Sequence, residues 1–217
     1  MKAVLIDYIG TLLRYDSTDL TDMTNSFVQH SKVKDADQFD AWWSDRRMAL
    51  EEACRDETFR TEEDICRDIL AEAQNTFNLK ADLDALYQLN QSYWMYGEFF
   101  SDAEPFLHKC SLPCFIITNF GTKYVKVALK RKNLHVHAIY SSDDAKVHKP
   151  HADFYRYVLE QTGLKPEDTV MIASRPGDLE GAAECGIQGI LVDRNGDYDK
   201  GNYYKVRNLE EAARFLQ

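Results

Sequence analysis

The stretch Ala3-Val4-Leu5-Ile6-Asp7-Tyr8-Ile9-Gly10-Thr11-Leu12 decides the fold of this chain. Its apolar run, Ala3 to Ile6, is typical of a strand buried on both faces, as in a parallel sheet covered by helices. Asp7 ends the run, and open α/β sheets bind their ligands outside the carboxyl ends of their strands. Gly10 and Thr11 supply a tight turn and a hydroxyl beside that carboxylate. An acid at this place is also consistent with a turn or a helix cap, so its meaning depends on the rest of the chain.

The composition is that of an ordinary globular protein, with 217 residues, 44% hydrophobic and 29% charged. A chain of this length accommodates one large α/β domain, or a domain of about 130 residues and a smaller one. Its 36 acidic and 26 basic residues give a formal net charge of -10, which repels phosphate backbones and anionic lipid headgroups. We therefore expect neither nucleic acid nor a membrane as a partner.

The ends and the cysteines of the chain indicate a cytoplasmic protein. The residues before Asp7 are too few for the apolar core of a signal peptide, and no apolar run reaches the length of a membrane span. The five cysteines are odd in number and lack CxxC spacing, which favours buried thiols over a disulfide framework or a zinc site.

Residues 15–99 have helical periodicity and no strand pattern. Cap residues and apolar stripes predict four helices, near 18–31, over 36–55, from Thr61 to about 77, and over 82–97. Strand-containing sequence lies on both sides of this segment. It therefore has the character of a helical insertion.

From about residue 101, buried strands alternate with single helices. The strands are predicted over 114–117, 136–141, 169–172 and 187–192. Crossovers of one helix imply a right-handed parallel sheet. We therefore predict an α/β fold, with a Rossmann-like parallel sheet core over 1–14 and 100–217 and an inserted α-helical cap domain over 15–99.

Polar side chains follow four of the predicted strands. They are Asp7, then Thr118 and Asn119, then Lys149, then Ser174, Arg175 and Asp178. Because the carboxyl ends of parallel strands meet at one edge of a sheet, these groups are expected to converge in one crevice.

The order of these residues resembles the haloacid dehalogenase superfamily of hydrolases. That superfamily has a nucleophilic Asp in a DxxGT motif, a Ser or Thr after the second strand, a Lys followed by Pro, and an acidic loop before the last crossover helix. Asp7, Thr118, Lys149 and Asp178 occupy these positions. The resemblance covers 1–13 and 101–217, and 15–99 takes the place of the helical cap domain of that family.

The resemblance implies covalent catalysis on a small anionic substrate. Asp7 would attack the substrate, and water activated by Asp178 would cleave the aspartyl intermediate. Lys149 would steady Asp7, while Thr118 and Asn119 would donate hydrogen bonds to the transferred group. Further contacts to the substrate are expected from Gly10, Thr11, Tyr155, Ser174, Arg175 and a cap arginine, Arg46 or its neighbour Arg47.

Two positions depart from the pattern of the phosphatases in that superfamily. Ile9 stands where they have the acid that protonates the leaving alcohol, and Ala173 stands where a carboxylate binds magnesium. Asp7, the Ile9 carbonyl and Asp178 remain as ligands if Mg²⁺ binds, so the expected cofactor is none or weakly bound Mg²⁺. Because Lys149 and Arg175 offset the two carboxylates, we hypothesise that the Arg175 guanidinium stands in for the metal.

The altered motifs are most similar to the 2-haloacid dehalogenase branch, which works without metal. That branch has a non-acidic residue at the place of Ile9 and a Tyr six residues after the Lys, here Tyr155. Phosphatase and dehalogenase chemistry both stay open, because Ala173, Arg175 and Phe120 differ from that branch. A third hypothesis is a catalytically impaired protein that binds a ligand or partner. A monomer and a homodimer are both consistent with the sequence.

Overall fold

Six strands form one sheet in the computed structural model, which describes residues 1–199 and 201–216. They are β1 (Ala3–Asp7), β2 (Cys114–Thr118), β3 (Ala138–Ser141), β4 (Thr169–Ala173), β5 (Gln188–Val192) and β6 (Tyr204–Val206). Neighbouring strands are parallel, in the order β3-β2-β1-β4-β5-β6. The central position of β1 explains its continuous apolar run, since both of its faces are covered. The predicted α/β fold is confirmed.

Helices lie in the connections between β1 and β5, and one more helix follows β6. In the described residues they are α1 (Thr18–Gln29), α2 (Ala36–Ala53), α3 (Glu62–Thr76), α4 (Leu83–Tyr96), α5 (Ala103–Lys109), α6 (Thr122–Arg131), α7 (Ser142–Ala145), α8 (Ala152–Thr162), α9 (Pro176–Glu184) and α10 (Leu209–Ala213). The first four begin where Ser17, Asp35, Thr61 and Asp82 accept hydrogen bonds from first-turn amides. Among the described helices, none combines the length and the apolar character that crossing a membrane requires.

The two edges of the sheet differ from the sequence-based expectation. β6 was not anticipated, because two of its three residues are exposed and it therefore lacks the apolar run of a buried strand. β3 begins at Ala138 rather than near residue 136, and most of it is only half-buried. Both are edge strands, where the hydrophobic signal is weakest.

The two faces of the sheet carry separate apolar clusters. Side chains alternate along β1, so Val4 and Ile6 pack in one cluster and Ala3 and Leu5 in the other. The first cluster extends into α1 and α4 and holds the helical segment against the sheet. The second is covered by α8 and α9. Packing from both sides leaves the carboxyl ends of the strands as the open edge.

Candidate active site

Asp7 is the last residue of β1 and is almost buried at the open edge of the sheet. The Thr11 hydroxyl donates to Asp7 Oδ2 at 3.0 Å and accepts from the backbone amide of Ser174 at 2.9 Å. Gly10 makes the turn between them with φ +85°, and a Cβ there would lie 2.6 Å from both Ser174 Oγ and a ring carbon of Tyr15. Only glycine fits this turn, which ties the end of β1 to the end of β4.

Lys149 joins the two candidate carboxylates. Its Nζ donates to Asp7 Oδ1 at 2.6 Å and to Asp178 Oδ2 at 3.1 Å, and the three side chains are 4%, 9% and 12% exposed. Burial opposes the charge of Lys149, but the two carboxylates outweigh it and raise the pKa of this residue. Burial also raises the pKa of Asp178, against the effect of the ammonium. Asp178 is therefore a stronger base than an exposed aspartate.

Asn119 holds the backbone that carries Lys149. Its Oδ1 accepts from the Lys149 amide and from Ser142 Oγ, both at 2.8 Å. Its Nδ2 donates to the Lys149 carbonyl at 3.1 Å and to Glu51 Oε1 at 3.0 Å. With these four bonds the amide has no donor left for a substrate. The structure supports Asn119 as a positioning residue, which corrects the predicted hydrogen bond to the transferred group.

Thr118 is also occupied within the protein. Its Oγ1 accepts from the Phe120 amide at 3.2 Å, and the residue is buried at the end of β2. Thr118 does not line the open cavity described below. Its position supports a role in shaping the turn after β2.

The structure does not support two further predicted contacts, that of Arg175 with Asp7 and that of Tyr155 with the substrate. The Arg175 guanidinium lies 3.4 Å from the Met48 sulfur, and the Asp7 oxygens bond to Lys149 and Thr11 instead. The hypothesis that Arg175 replaces a metal at Asp7 is therefore not supported. Tyr155 is fully buried in α8, where burial raises the pKa of its hydroxyl, and it does not line the cavity. The predicted contact of Tyr155 with the substrate is not supported either.

The two cap arginines point in different directions. Arg46 Nε donates to Glu72 at 2.6 Å across the α2–α3 contact and does not line the cavity. Arg47 lines the cavity, with its guanidinium 5.7 Å from the centre of the Phe120 ring. Successive residues of an α-helix are about 100° apart, so only one of the pair faces the site. Of the two arginines, only Arg47 lies where the predicted substrate contact could be made, and that contact stays a prediction.

A cavity of about 690 Å³ lies between the open edge of the sheet and the helical segment. Its polar floor contains Asp7, Asn119, Lys149, Arg175 and Asp178. Its walls include six aromatic side chains, those of Tyr15, Phe39, Trp43, Tyr93, Trp94 and Phe120. Sequence reasoning missed Tyr15 and Tyr198 as lining residues. Tyr15 lies just after the Gly10 turn, whereas no sequence signal marks Tyr198.

The residues at this edge do not fit a magnesium ion. Mg²⁺ requires a near-octahedral set of oxygen ligands. Asp7 and Asp178 here share one ammonium group, and Ala173 places a fully buried methyl group at the end of β4. Ile9 offers only its backbone carbonyl oxygen. One ammonium group, that of Lys149, pairs with both carboxylates and occupies the space between them.

The chain belongs to the haloacid dehalogenase-like hydrolase family, whose model matches residues 61–192. Its fold is closely similar to that of the L-2-haloacid dehalogenase from Xanthobacter autotrophicus. The two structures superpose with a TM-score of 0.81 at 19% identity, covering 100% of this chain and 98% of the other. This likeness concerns the fold.

Two curated relatives match parts of the chain. One is the (S)-2-haloacid dehalogenase 4A of Burkholderia cepacia, 26% identical over 102 residues, which is 44% of each protein. The other is the glyceraldehyde 3-phosphate phosphatase of Methanocaldococcus jannaschii, 31% identical over 80 residues, or 35% of each. The matches therefore span less than half of either relative.

Proposed function

We propose that this hydrolase forms a covalent ester between Asp7 and a 2-substituted carboxylic acid whose leaving group departs as an anion, as in 2-haloacid dehalogenation. The observation that carries the proposal is the Lys149 ammonium, which contacts both Asp7 and Asp178. A nucleophile and a base that share one cation suit two-step covalent catalysis. Ile9 offers no proton to a leaving group, and a halide needs none.

The first step in this proposal is nucleophilic substitution by Asp7. Thr11 and Lys149 each bind one of its oxygens and so fix the direction of the carboxylate. One oxygen forms a bond to the substrate carbon while the bond to the halide breaks, and the halide leaves with the electron pair. The product of this step is an ester of Asp7.

The second step is hydrolysis of that ester. Asp178 takes a proton from water, and the resulting hydroxide attacks the ester carbonyl carbon of Asp7. Lys149 stabilises the negative charge that develops on the carbonyl oxygen. Cleavage of the acyl–oxygen bond releases a 2-hydroxy acid, whose alkoxide takes up the proton held by Asp178. The second proton of the water, left on the Asp7 carboxyl group, passes to solvent and restores the Asp7 carboxylate.

We propose that residues 15–99 act as a cap domain that selects the substrate. Arg47 provides a cation for the substrate carboxylate, and the aromatic walls provide an apolar surface. A cavity of about 690 Å³ is in the range of pockets for drug-sized ligands, roughly 300–1,000 Å³. These features favour an acid with a large apolar body over a two- or three-carbon acid.

The test is halide release from 2-bromo acids of increasing size, from 2-bromopropionate to 2-bromo-3-phenylpropionate, in the presence of a chelator. We expect release that is unaffected by the chelator and lost in Asp7→Asn. A single turnover in ¹⁸O-labelled water is expected to place the label in Asp7, detected by peptide mass spectrometry. Halide release without label in Asp7 would contradict the covalent route.

A second candidate is phosphate ester hydrolysis, which the match to the glyceraldehyde 3-phosphate phosphatase favours. The same nucleophile would then form an acyl phosphate. Phosphate release that rises with added magnesium, without halide release, would select this candidate. A chain that turns over neither class, and whose ligand binding is unchanged in Asp7→Asn, would instead be a binding protein.

A further inference from the structure

Three buried side chains converge behind the floor of the cavity, where the helical segment meets the sheet. Glu51 lies near the end of α2, Glu62 begins α3, and His148 precedes Lys149. The residues are 6%, 1% and 2% exposed. One potential ligand atom from each lies within 4.8 Å of the other two. The catalytic steps proposed above use none of them.

One ring nitrogen of the histidine in this cluster has a lone pair that no donor among the described residues uses. His148 Nε2 lies 2.9 Å from the Arg60 carbonyl oxygen and therefore carries the ring proton that it donates. The other nitrogen, Nδ1, is then an acceptor and faces Glu62 Oε1 at 3.8 Å. Two buried acceptors that face each other are destabilising unless a cation or a proton lies between them.

Most acceptors of the cluster lack a donor in the described part of the chain. Both carboxylate oxygens of Glu62 and Nδ1 of His148 are buried without a hydrogen-bond partner there. Arg47 approaches Glu51 and Glu62 only at 3.7 and 3.8 Å, longer than a hydrogen bond. A proton on Glu62 would provide a hydrogen bond to only one of these buried acceptors. A divalent cation would serve Glu51, Glu62 and His148 together.

We propose that Glu51, Glu62 and His148 bind one divalent transition-metal ion of the zinc class. Carboxylate oxygen and imidazole nitrogen are ligands that Zn²⁺ accepts in proteins, with water at the fourth position. The hydrogen bond from His148 to a backbone carbonyl is the usual support of a metal-binding histidine. Arg47 and the two carboxylates sum to -1, so the cluster accommodates a cation. Tetrahedral coordination draws the ligand atoms to roughly 3.4 Å apart, a contraction that two flexible glutamates allow.

The site would fasten α2 and α3 to the loop that carries Lys149. Asn119 donates to Glu51 Oε1 and also binds the backbone of Lys149, so it connects the metal site with the active site. The metal is then a structural clamp between the helical segment and the sheet. It enters neither of the proposed chemical steps.

The experiment is titration of the chelator-treated full chain with ZnCl₂, followed by isothermal calorimetry and native mass spectrometry. We expect one bound equivalent and a rise in Tm with added metal. Glu62→Gln and His148→Gln are expected to weaken binding by at least about 10- to 100-fold, the loss that substitution of an outer-shell partner already causes. In Co²⁺-loaded protein, the visible ligand-field bands are expected to be altered in both variants.

Glu52→Gln is the matched control, because Glu52 is the exposed neighbour of Glu51. Its affinity for Zn²⁺ and its Tm are expected to equal those of the unchanged chain. Circular dichroism verifies that each variant is folded. Binding that is equally tight in Glu62→Gln and His148→Gln would place the metal elsewhere, for example on cysteines, and would overturn the proposal. Failure of the unchanged chain to bind Zn²⁺ or Co²⁺ would overturn it as well.

Discussion

Lys149 and Asp7, 142 positions apart in the chain, meet with Nζ and Oδ1 only 2.6 Å apart. The ammonium also binds Asp178 at 3.1 Å, so one cation serves the buried Asp7 carboxylate and the partly buried Asp178 carboxylate. This arrangement stabilises the charges that the protein has buried and orients the proposed nucleophile and base. Removal of this ammonium group is therefore expected to affect both stability and catalysis.

Replacing Lys149 by Met is expected to lower both stability and turnover. The buried Asp7 carboxylate would lose its cation, and breaking such a buried pair typically costs about 3–5 kcal/mol. Denaturant unfolding measures this loss. Halide release in a single turnover is expected to fall by at least about 100-fold, because Lys149 no longer stabilises the developing oxyanion.

Lys165→Met is the control for that experiment, since Lys165 is an exposed lysine. Its stability and turnover are expected to stay near those of the unchanged protein. Equal turnover in Lys149→Met and Lys165→Met would show that the ammonium has no part in the reaction.

Asn119→Ala is expected to lower kcat with little change in KM. The substitution removes four hydrogen bonds that hold Glu51, Ser142 and the backbone of Lys149. A displacement of a catalytic group by about 1 Å can cost about 10²-fold in rate. Ser142→Ala removes only one of these bonds and is expected to have a smaller effect. A large rise in KM with unchanged kcat would instead assign Asn119 to the substrate.

Arg47→Lys is expected to raise the KM for acidic substrates by about tenfold. This is the change expected from losing one charge-assisted hydrogen bond, taken at the low end of its usual free energy. Lysine keeps the charge near Glu51 and Glu62 but loses the planar guanidinium. The matched variant Arg46→Lys changes a residue that pairs with Glu72 outside the cavity. Its KM is expected to be unchanged. Tm measured for both variants separates a loss of binding from a loss of folding.

The rate of ester hydrolysis is expected to depend on the ionisation of Asp178. Burial raises the pKa of Asp178, and a general base must be deprotonated to act. The acid limb of the pH profile is therefore expected at a higher pH than the ordinary aspartate value of about 3.9. In Asp178→Asn, the ester at Asp7 is expected to accumulate, which peptide mass spectrometry detects.

The same ionisation sets a pH dependence of stability. Because the pKa of Asp178 is raised in the folded state, the folded chain binds more protons than the unfolded chain between the two pKa values. The contribution of Asp178 to stability therefore falls as the pH rises through that window. Denaturant unfolding at several pH values is expected to show that the free energy of unfolding falls less steeply with rising pH in Asp178→Asn than in the unchanged chain. An unchanged slope would contradict the raised pKa.

The sequence by itself determined the strand and helix pattern and the order of the polar residues at the strand ends. Hydrophobic periodicity is a local property, so the apolar run before Asp7 and the helical period over 15–99 could be read directly. The edge strand β6 could not, because an exposed strand lacks that periodicity. Convergence of Asp7, Lys149 and Asp178 followed from the rule that parallel strands end at one edge.

Only the tertiary structure decided what each of these side chains contacts. The phase of α2 places Arg47 in the cavity and Arg46 against Glu72, although the two are neighbours in the chain. Packing directs Arg175 towards Met48 and buries Tyr155 within the core. Spacing along a sequence determines on which face of a helix or strand a residue lies. The hydrogen-bond partners of its side chain depend instead on how several helices and strands pack together.

The cluster of Glu51, Glu62 and His148 shows most clearly what only the tertiary structure decides. Two of its members come from helices of the inserted segment and one from a loop of the sheet-forming sequence. No local spacing links them, and a glutamate in a helix most often faces water. They meet because α2 and α3 pack against the loop before Lys149, and long-range packing of this kind leaves no trace in the pattern of one segment.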